Sequence, residues 1–311
     1  MPGNTNMPTG TKSPNLDVVF LHDATGSQQP YIDDARRYSE DRASSIQRLA
    51  RGTVRFRVVA FRDHREQGDQ WMVHDTNPFT SDPVVLRRQL DALKASGGGD
   101  GPEAQIDGLD AVLRSPFRQD AQRVVFLITD SPPHGIGEPG DVVPKSHPSA
   151  LTAKKIMDSF KARNTILIVV GCTPTINYYK KAVQFYKDFA ESTGGFYLPL
   201  TDPSKDSGPM SRAIVGSVLA ASDTLRLTDA WGGWIRDESH RGHAALASAM
   251  HSKLSSDGEK CHEVTCTEHG GHDVKYHLGP VSRARVDTIV SKSLRDQEEI
   301  RADPVLNALF G

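Results

Sequence analysis

From residue 16 onward, short apolar runs alternate with longer amphipathic stretches. LDVVFLH (16–22) is almost continuously apolar and β-branched, the pattern of a strand buried on both faces. Residues 31–51 are charge-rich with helical spacing, VRFRVVAF (54–61) reads as a strand, and WMVH (71–74) as a short edge strand. Residues 83–94 place Val85, Leu86, Leu90 and Leu93 at helical intervals, and 103–113 do the same with Ile106, Leu109, Ala111 and Val112. RVVFLIT (123–129), TILIVVG (165–171) and GFYLPL (195–200) are further strands, with helical patterns at 150–162, 178–192 and 210–221. This alternation predicts a doubly wound, mostly parallel α/β sheet of about six strands with helices on both faces. Right-handed crossovers then bring every strand-to-helix loop to the carboxyl edge, where ligands of such sheets bind.

The pattern changes after about residue 223. WGGW (231–234) precedes a helical segment at 242–254, a Cys- and His-rich stretch at 261–277 and an amphipathic helix at 283–301. The expected division is a disordered leader (1–15), a main α/β domain (16–222) and a small, mainly helical accessory segment (223–311). The leader has no apolar core of a signal peptide, and no run approaches the roughly 20 apolar residues of a membrane span. Cys172, Cys261 and Cys266 make no even disulfide framework, so a cytoplasmic location is expected. A net charge of -2 in 311 residues offers no basic excess, which argues against nucleic-acid and membrane-surface partners.

Four loops at the expected sheet edge carry unusual polar clusters. They are Asp23-Ala24-Thr25-Gly26-Ser27, Arg62-Asp63-His64, the run Gly97-Gly98-Gly99-Asp100-Gly101-Pro102-Glu103, and Asp130-Ser131-Pro132-Pro133-His134. Any one of them taken alone reads better as helix capping, because caps are common and metal sites rare. Together their carboxylates would repel unless separated, protonated or neutralised by a cation. Carboxylate and hydroxyl oxygens without thiolates suit a hard cation such as Mg²⁺.

Asp23 to Ser27 resembles the D-x-[ST]-x-S motif of von Willebrand factor type A domains, and the resemblance extends over about residues 16–221. It implies a metal-ion-dependent adhesion site. Asp23 would reach Mg²⁺ (or Mn²⁺ or Ca²⁺) directly or through water, Thr25 and Ser27 would supply hydroxyls, and Asp130 would complete the outer shell. A protein partner would donate a carboxylate to the open position. The glycine-rich loop lacks the family's usual threonine. Its Asp100-Gly101-Pro102-Glu103 is similar to the acidic loop of integrin β-subunit I-like domains and of the domains attached to some alpha-kinases. That likeness gives Glu103 a ligand role and makes Asp63, Asp100 and the Pro102 carbonyl a second metal site, unless Asp63 pairs with Arg62 or Arg65.

Cys261, Cys266, His269 and His272 form C-x4-C-x2-H-x2-H, which could hold tetrahedral Zn²⁺ or belong to a hairpin whose polar residues happen to be His. The glycine run is not a phosphate loop, since no G-x-G-x-x-G follows the first strand and no G-K-[ST] follows the glycines. The function expected is metal-dependent protein binding, as an adhesion or scaffold module and not an enzyme. A metal-assisted hydrolase with His64 or His134 as base, and a purely structural cation, are the alternatives.

Overall fold

The computed structural model describes residues 15–50, 52–142, 151–201, 208–266 and 274–302. A six-stranded sheet in the order β3-β2-β1-β4-β5-β6 organises the N-terminal two-thirds. Its strands are β1 (Asn15–Asp23), β2 (Val54–Phe61), β3 (Val73–His74), β4 (Ala121–Thr129), β5 (Thr165–Thr173) and β6 (Tyr197–Thr201). Every pairing is parallel except β2 with β3, which is the short edge strand expected from WMVH.

Alternate residues of the strands serve two separate faces. Val19 and Leu21 of β1, Val59 and Phe61 of β2 and Val125 and Leu127 of β4 pack against α3 (Gln105–Leu113), α4 (Ala153–Ala162) and α5 (Ala182–Ser192). On the other face Phe20 stacks with Phe56 and Phe126. Ala35 and Ala43 of α1 (Gln29–Leu49), Leu86 and Leu90 of α2 (Pro83–Asp91) and Ile214 of α6 (Gly208–Asp237) surround that stack. Burying each such aliphatic side chain is worth about 1.5–3 kcal/mol, which explains why these strands carry so few polar residues.

Two helices depart from their sequence pattern for identifiable reasons. Helical spacing begins at residue 178, yet α5 starts only at Ala182. The Glu138 carboxylate takes the backbone N–H groups of Lys180 and Lys181 at 2.7 Å each, and so holds the chain ahead of α5 in a loop. The other case is α6, which runs unbroken through WGGW to Asp237. Trp231 and Trp234 lie edge to face at 5.4 Å in a core with Leu227, Ile235, Leu246, Met250, Ile289 and Val290. That burial outweighs the helix penalty of about 1 kcal/mol at each glycine.

The chain divides into two compact units, one comprising 15–219 with 264–276, the other containing 220–263 and 277–302. In the second unit α7 (His243–Ser256) and α8 (Arg283–Ala302) supply most of the core. A separate two-stranded sheet joins β7 (Lys260–Cys266) to β8 (Val274–Pro280). Cys261 is buried in that second core, and His262 Nδ1 meets Asp223 Oδ2 at 2.8 Å. The side chain of Cys266, and residues His269 and His272, lie outside the described residues. Among the described residues no helix is long and apolar enough to cross a membrane.

Candidate metal centre

Parallel register fixes the edge at which the site forms. Asp23 stands level with Phe61 at the end of β2, and His22 beside it is level with Ile128 near the end of β4. The loops carrying Asp23, Asp63 and Asp130 therefore leave the sheet at one edge.

Asp23 is fully buried, and both its oxygens are engaged. Oδ1 accepts from the Thr25 amide at 2.9 Å and the Thr25 hydroxyl at 2.6 Å. Oδ2 accepts from Thr129 Oγ1 at 2.7 Å and from Ser131 Oγ at 3.4 Å. Ser27, exposed at the mouth, donates its hydroxyl to Asp130 Oδ1 at 3.0 Å. The glycine-rich loop lies over this group: Gly26 N–H donates to the Gly97 carbonyl at 3.1 Å. A Cβ on Gly98 would come within 2.8 Å of Glu103 Oε1 and 3.3 Å of Thr25 Cβ, and Gly98 has φ +88°, so only glycine suits the position.

Glu103 is held by its backbone. Its amide donates to the Pro132 carbonyl at 3.0 Å and its carbonyl accepts from the His134 amide at 3.1 Å, which aligns this loop with the one after β4. Its side chain is buried, and among the described residues Oε2 has no hydrogen-bond partner. Asp63, Asp100 and His134 form a neighbouring group whose ligand atoms all lie within 4.8 Å of one another. Asp63 meets His134 Nε2 at 2.9 Å rather than either flanking arginine. The Arg62 guanidinium instead donates to the carbonyls of Ala24 and Lys94 and stacks on Trp71.

Such crowding of carboxylates has an electrostatic signature. Burial first, then the charge of Asp130, pushes the Asp23 carboxyl up to about 7. Burial, then the charges of Asp23, Asp63, Asp69 and Asp100, pushes Glu103 up to about 11. Asp130 and Asp100 are also raised, chiefly by burial. Burial works against the charged ring of His134, but its hydrogen bonds to Asp63 and Asp141 outweigh that and raise it. Protons hold this cluster together in the absence of another positive charge, and a divalent cation could take their place.

Residues 17–202, more than half of the sequence, match the family described as von Willebrand factor A domain. The chain belongs to that family. Among curated relatives, the alpha-protein kinase vwkA of Dictyostelium discoideum is 28% identical over 128 residues, which is 39% of this chain and 19% of that protein. Hemicentin-2 of Mus musculus is 32% identical over 118 residues, 35% of this chain and 2% of that protein. The chain thus matches only a small part of either relative. A solved von Willebrand factor type A structure from Catenulispora acidiphila aligns over 66% of this chain and 43% of that one, with TM-score 0.45 and 15% identity.

In this von Willebrand factor A domain Asp23, Thr25 and Ser27 lie on the β1 loop, Asp130 at the end of β4 and Glu103 on the glycine-rich loop before α3, and all five side chains offer oxygen, which suits a hard cation. The partnerless Glu103 Oε2 is what a cation there would satisfy. Sequence reasoning missed three supports. Thr129 clamps Asp23 from β4. Asp69 accepts from the amides of Gly98 at 3.0 Å and Asp63 at 3.2 Å, tying two loops together. Asp141 holds His134 Nδ1 at 2.7 Å. Thr129 stood in plain view as the last residue of an apolar strand. Asp69 and Asp141 sit in irregular segments where no periodicity marks them.

Proposed function

We propose that this domain holds a divalent cation through Asp23, Thr25, Ser27, Glu103 and Asp130 and uses it to capture a protein partner, which lends a carboxylate to the metal. The observation that carries the reading is the buried Glu103 carboxylate, its Oε2 without a partner among the described residues and its charge opposed by that of Asp23, on the edge where Ser27 bonds Asp130 and stands open to solvent. Mg²⁺ is the ion best matched to these donors, and Mn²⁺ or Ca²⁺ would substitute. Glu103 adds a negative ligand, so the ion would be held more firmly and would pull less on an incoming carboxylate than a threonine-type loop allows.

The hydrolase alternative lacks support from its two candidate bases. Both ring nitrogens of His134 face carboxylates, and His64 is buried beside Asp107 at 3.4 Å. The proposed setting is an intracellular scaffold built from residues 16–222, with 223–311 as its accessory segment. Three cysteines, which make no even disulfide framework, support that setting.

Calorimetric titration of Mg²⁺ and Mn²⁺ into chelator-stripped protein tests the reading. Saturable binding that disappears in Asp23→Ala and Asp130→Ala, with the circular dichroism spectrum unchanged, is expected. Partner capture that persists in EDTA would overturn the metal-dependent mechanism.

A further inference from the structure

Beside the adhesion-type site lies a group whose donors differ in kind. Resemblance to acidic-loop domains implies an all-oxygen second site from Asp63, Asp100 and the Pro102 carbonyl. The structure adds an imidazole to it. We propose that Asp63, Asp100 and His134 form a mixed nitrogen and oxygen site that takes a first-row divalent transition cation, from Mn²⁺ to Zn²⁺, in preference to Mg²⁺ or Ca²⁺.

Three observations support it. First, His134 is aimed. Asp141 Oδ1 holds Nδ1 at 2.7 Å while Asp141 Oδ2 accepts the Gly135 amide at 2.8 Å, so the carboxylate is itself anchored and fixes the ring. This carboxylate–imidazole pairing is the usual support behind a metal-binding histidine, and it leaves Nε2 to point at Asp63. Asp141 is thus a positioning residue.

Second, both carboxylates of the group carry an oxygen short of partners. Asp63 is fully buried, yet among the described residues Oδ2 has no hydrogen-bond partner, and neither has Oδ1 of Asp100. A buried carboxylate oxygen without a donor is costly, so a ligand that satisfies it is favoured. Both ring nitrogens face carboxylate oxygens, so the 2.9 Å contact of Nε2 with Asp63 Oδ1 requires either a proton or a metal cation between them, and a cation can take the place of that proton.

Third, the spacing suits octahedral geometry. Ligands about 2.1 Å from a metal and 2.9 Å apart subtend about 90°, the angle between neighbouring ligands of an octahedron. The ligand atoms of all three residues lie within 4.8 Å of one another, and Asp100, half-buried, is the least enclosed of them. One imidazole beside two carboxylates favours first-row transition ions, because Mg²⁺ and Ca²⁺ prefer oxygen throughout.

The test adds Mn²⁺ to the full chain with Mg²⁺ already saturating, and records binding together with electron-spin-echo modulation from ¹⁴N. The expected result is Mn²⁺ bound with nitrogen modulation in the wild type and in Asp23→Ala. In His134→Asn that modulation should vanish and Mn²⁺ affinity fall at least tenfold, and in Asp141→Asn the affinity should fall less. Circular dichroism of each variant checks its fold, and His134→Gln serves if His134→Asn unfolds. Absence of ¹⁴N modulation in the wild type, or its loss in Asp23→Ala, overturns the proposal. Mg²⁺ binding retained by Asp23→Ala would overturn the adhesion-type reading alone and leave this one standing.

Discussion

The Thr129 hydroxyl donates to Asp23 Oδ2 at 2.7 Å, joining the last residue of β4 to the last residue of β1. With Thr25 occupying Oδ1, the Asp23 carboxylate organises its neighbours as much as it offers itself to a ligand. Thr129→Val keeps the shape and removes the donor, leaving Oδ2 with only the 3.4 Å contact from Ser131. We expect a loss of about 1–3 kcal/mol in denaturant unfolding, the cost of an unsatisfied buried acceptor. Mg²⁺ affinity should fall several-fold, read by calorimetry.

Glu103 makes the metal-free protein sensitive to pH. Its carboxyl is raised from 4.5 to about 11, so the folded state holds a proton that the unfolded state gives up above 4.5. The folded state is therefore penalised progressively as pH rises from 4.5 toward 11. Glu103→Gln removes the penalty. In EDTA at pH 7 the variant should be more stable than the wild type by on the order of 1–3 kcal/mol, and near pH 4 the two should coincide. Added Mg²⁺ should raise the wild-type Tm and leave that of the variant almost unchanged. Thermal melts across pH with and without metal provide the check.

Far from the site, Asp17 predicts the opposite slope. It is fully buried and accepts from Arg55 at 3.0 and 2.7 Å, and from the Arg118 amide and side chain at 2.8 and 2.9 Å. Burial opposes its charge, but these donors prevail and hold the carboxyl below its ordinary value of 3.8. Its contribution is present above 3.8 and is lost as pH falls through the lowered value. Asp17→Asn should cost about 3 kcal/mol at pH 7, and less as pH drops below 4, while Mg²⁺ affinity stays unchanged. Urea titrations at several pH values would show it.

Two glycines with similar backbone angles should separate local strain from a clash. Gly98 and Gly135 have φ +88° and +82°, but only at Gly98 would a Cβ strike anything within 4 Å. Gly135→Ala should cost about 1–2 kcal/mol of backbone strain and leave Mg²⁺ binding intact. Gly98→Ala should weaken Mg²⁺ binding by tenfold or more, because Glu103 must move. Paired calorimetry and unfolding curves would resolve the two effects.

Much of the fold could be read from the chain because buried parallel strands leave a direct mark, as LDVVFLH and RVVFLIT do. The elements misread were decided by partners distant in sequence. Glu138 delays α5 from more than 40 residues away, and WGGW stays helical because a core formed with α7 and α8 rewards both tryptophans. The site divides in the same way. The residues from Asp23 to Ser27 and Asp100 to Glu103 carry local motifs. Thr129, Asp69 and Asp141 gain their roles only through contacts that no local pattern records, and the imidazole of His134 joins Asp63 across 71 residues of chain.

The pairing of β1 with β4 also bears on when the centre can first exist during synthesis. Asp23 emerges early, whereas Ser27 meets Asp130 only after a further 103 residues have been made. Until β4 docks, the early loop has neither Thr129 to orient it nor Asp130 to face it, and loop closure over that length is slow. Capture of the ion would then act as a checkpoint for the nascent chain, fastening the β1 loop to the β4 loop only once both have been made and before β5 and β6 follow.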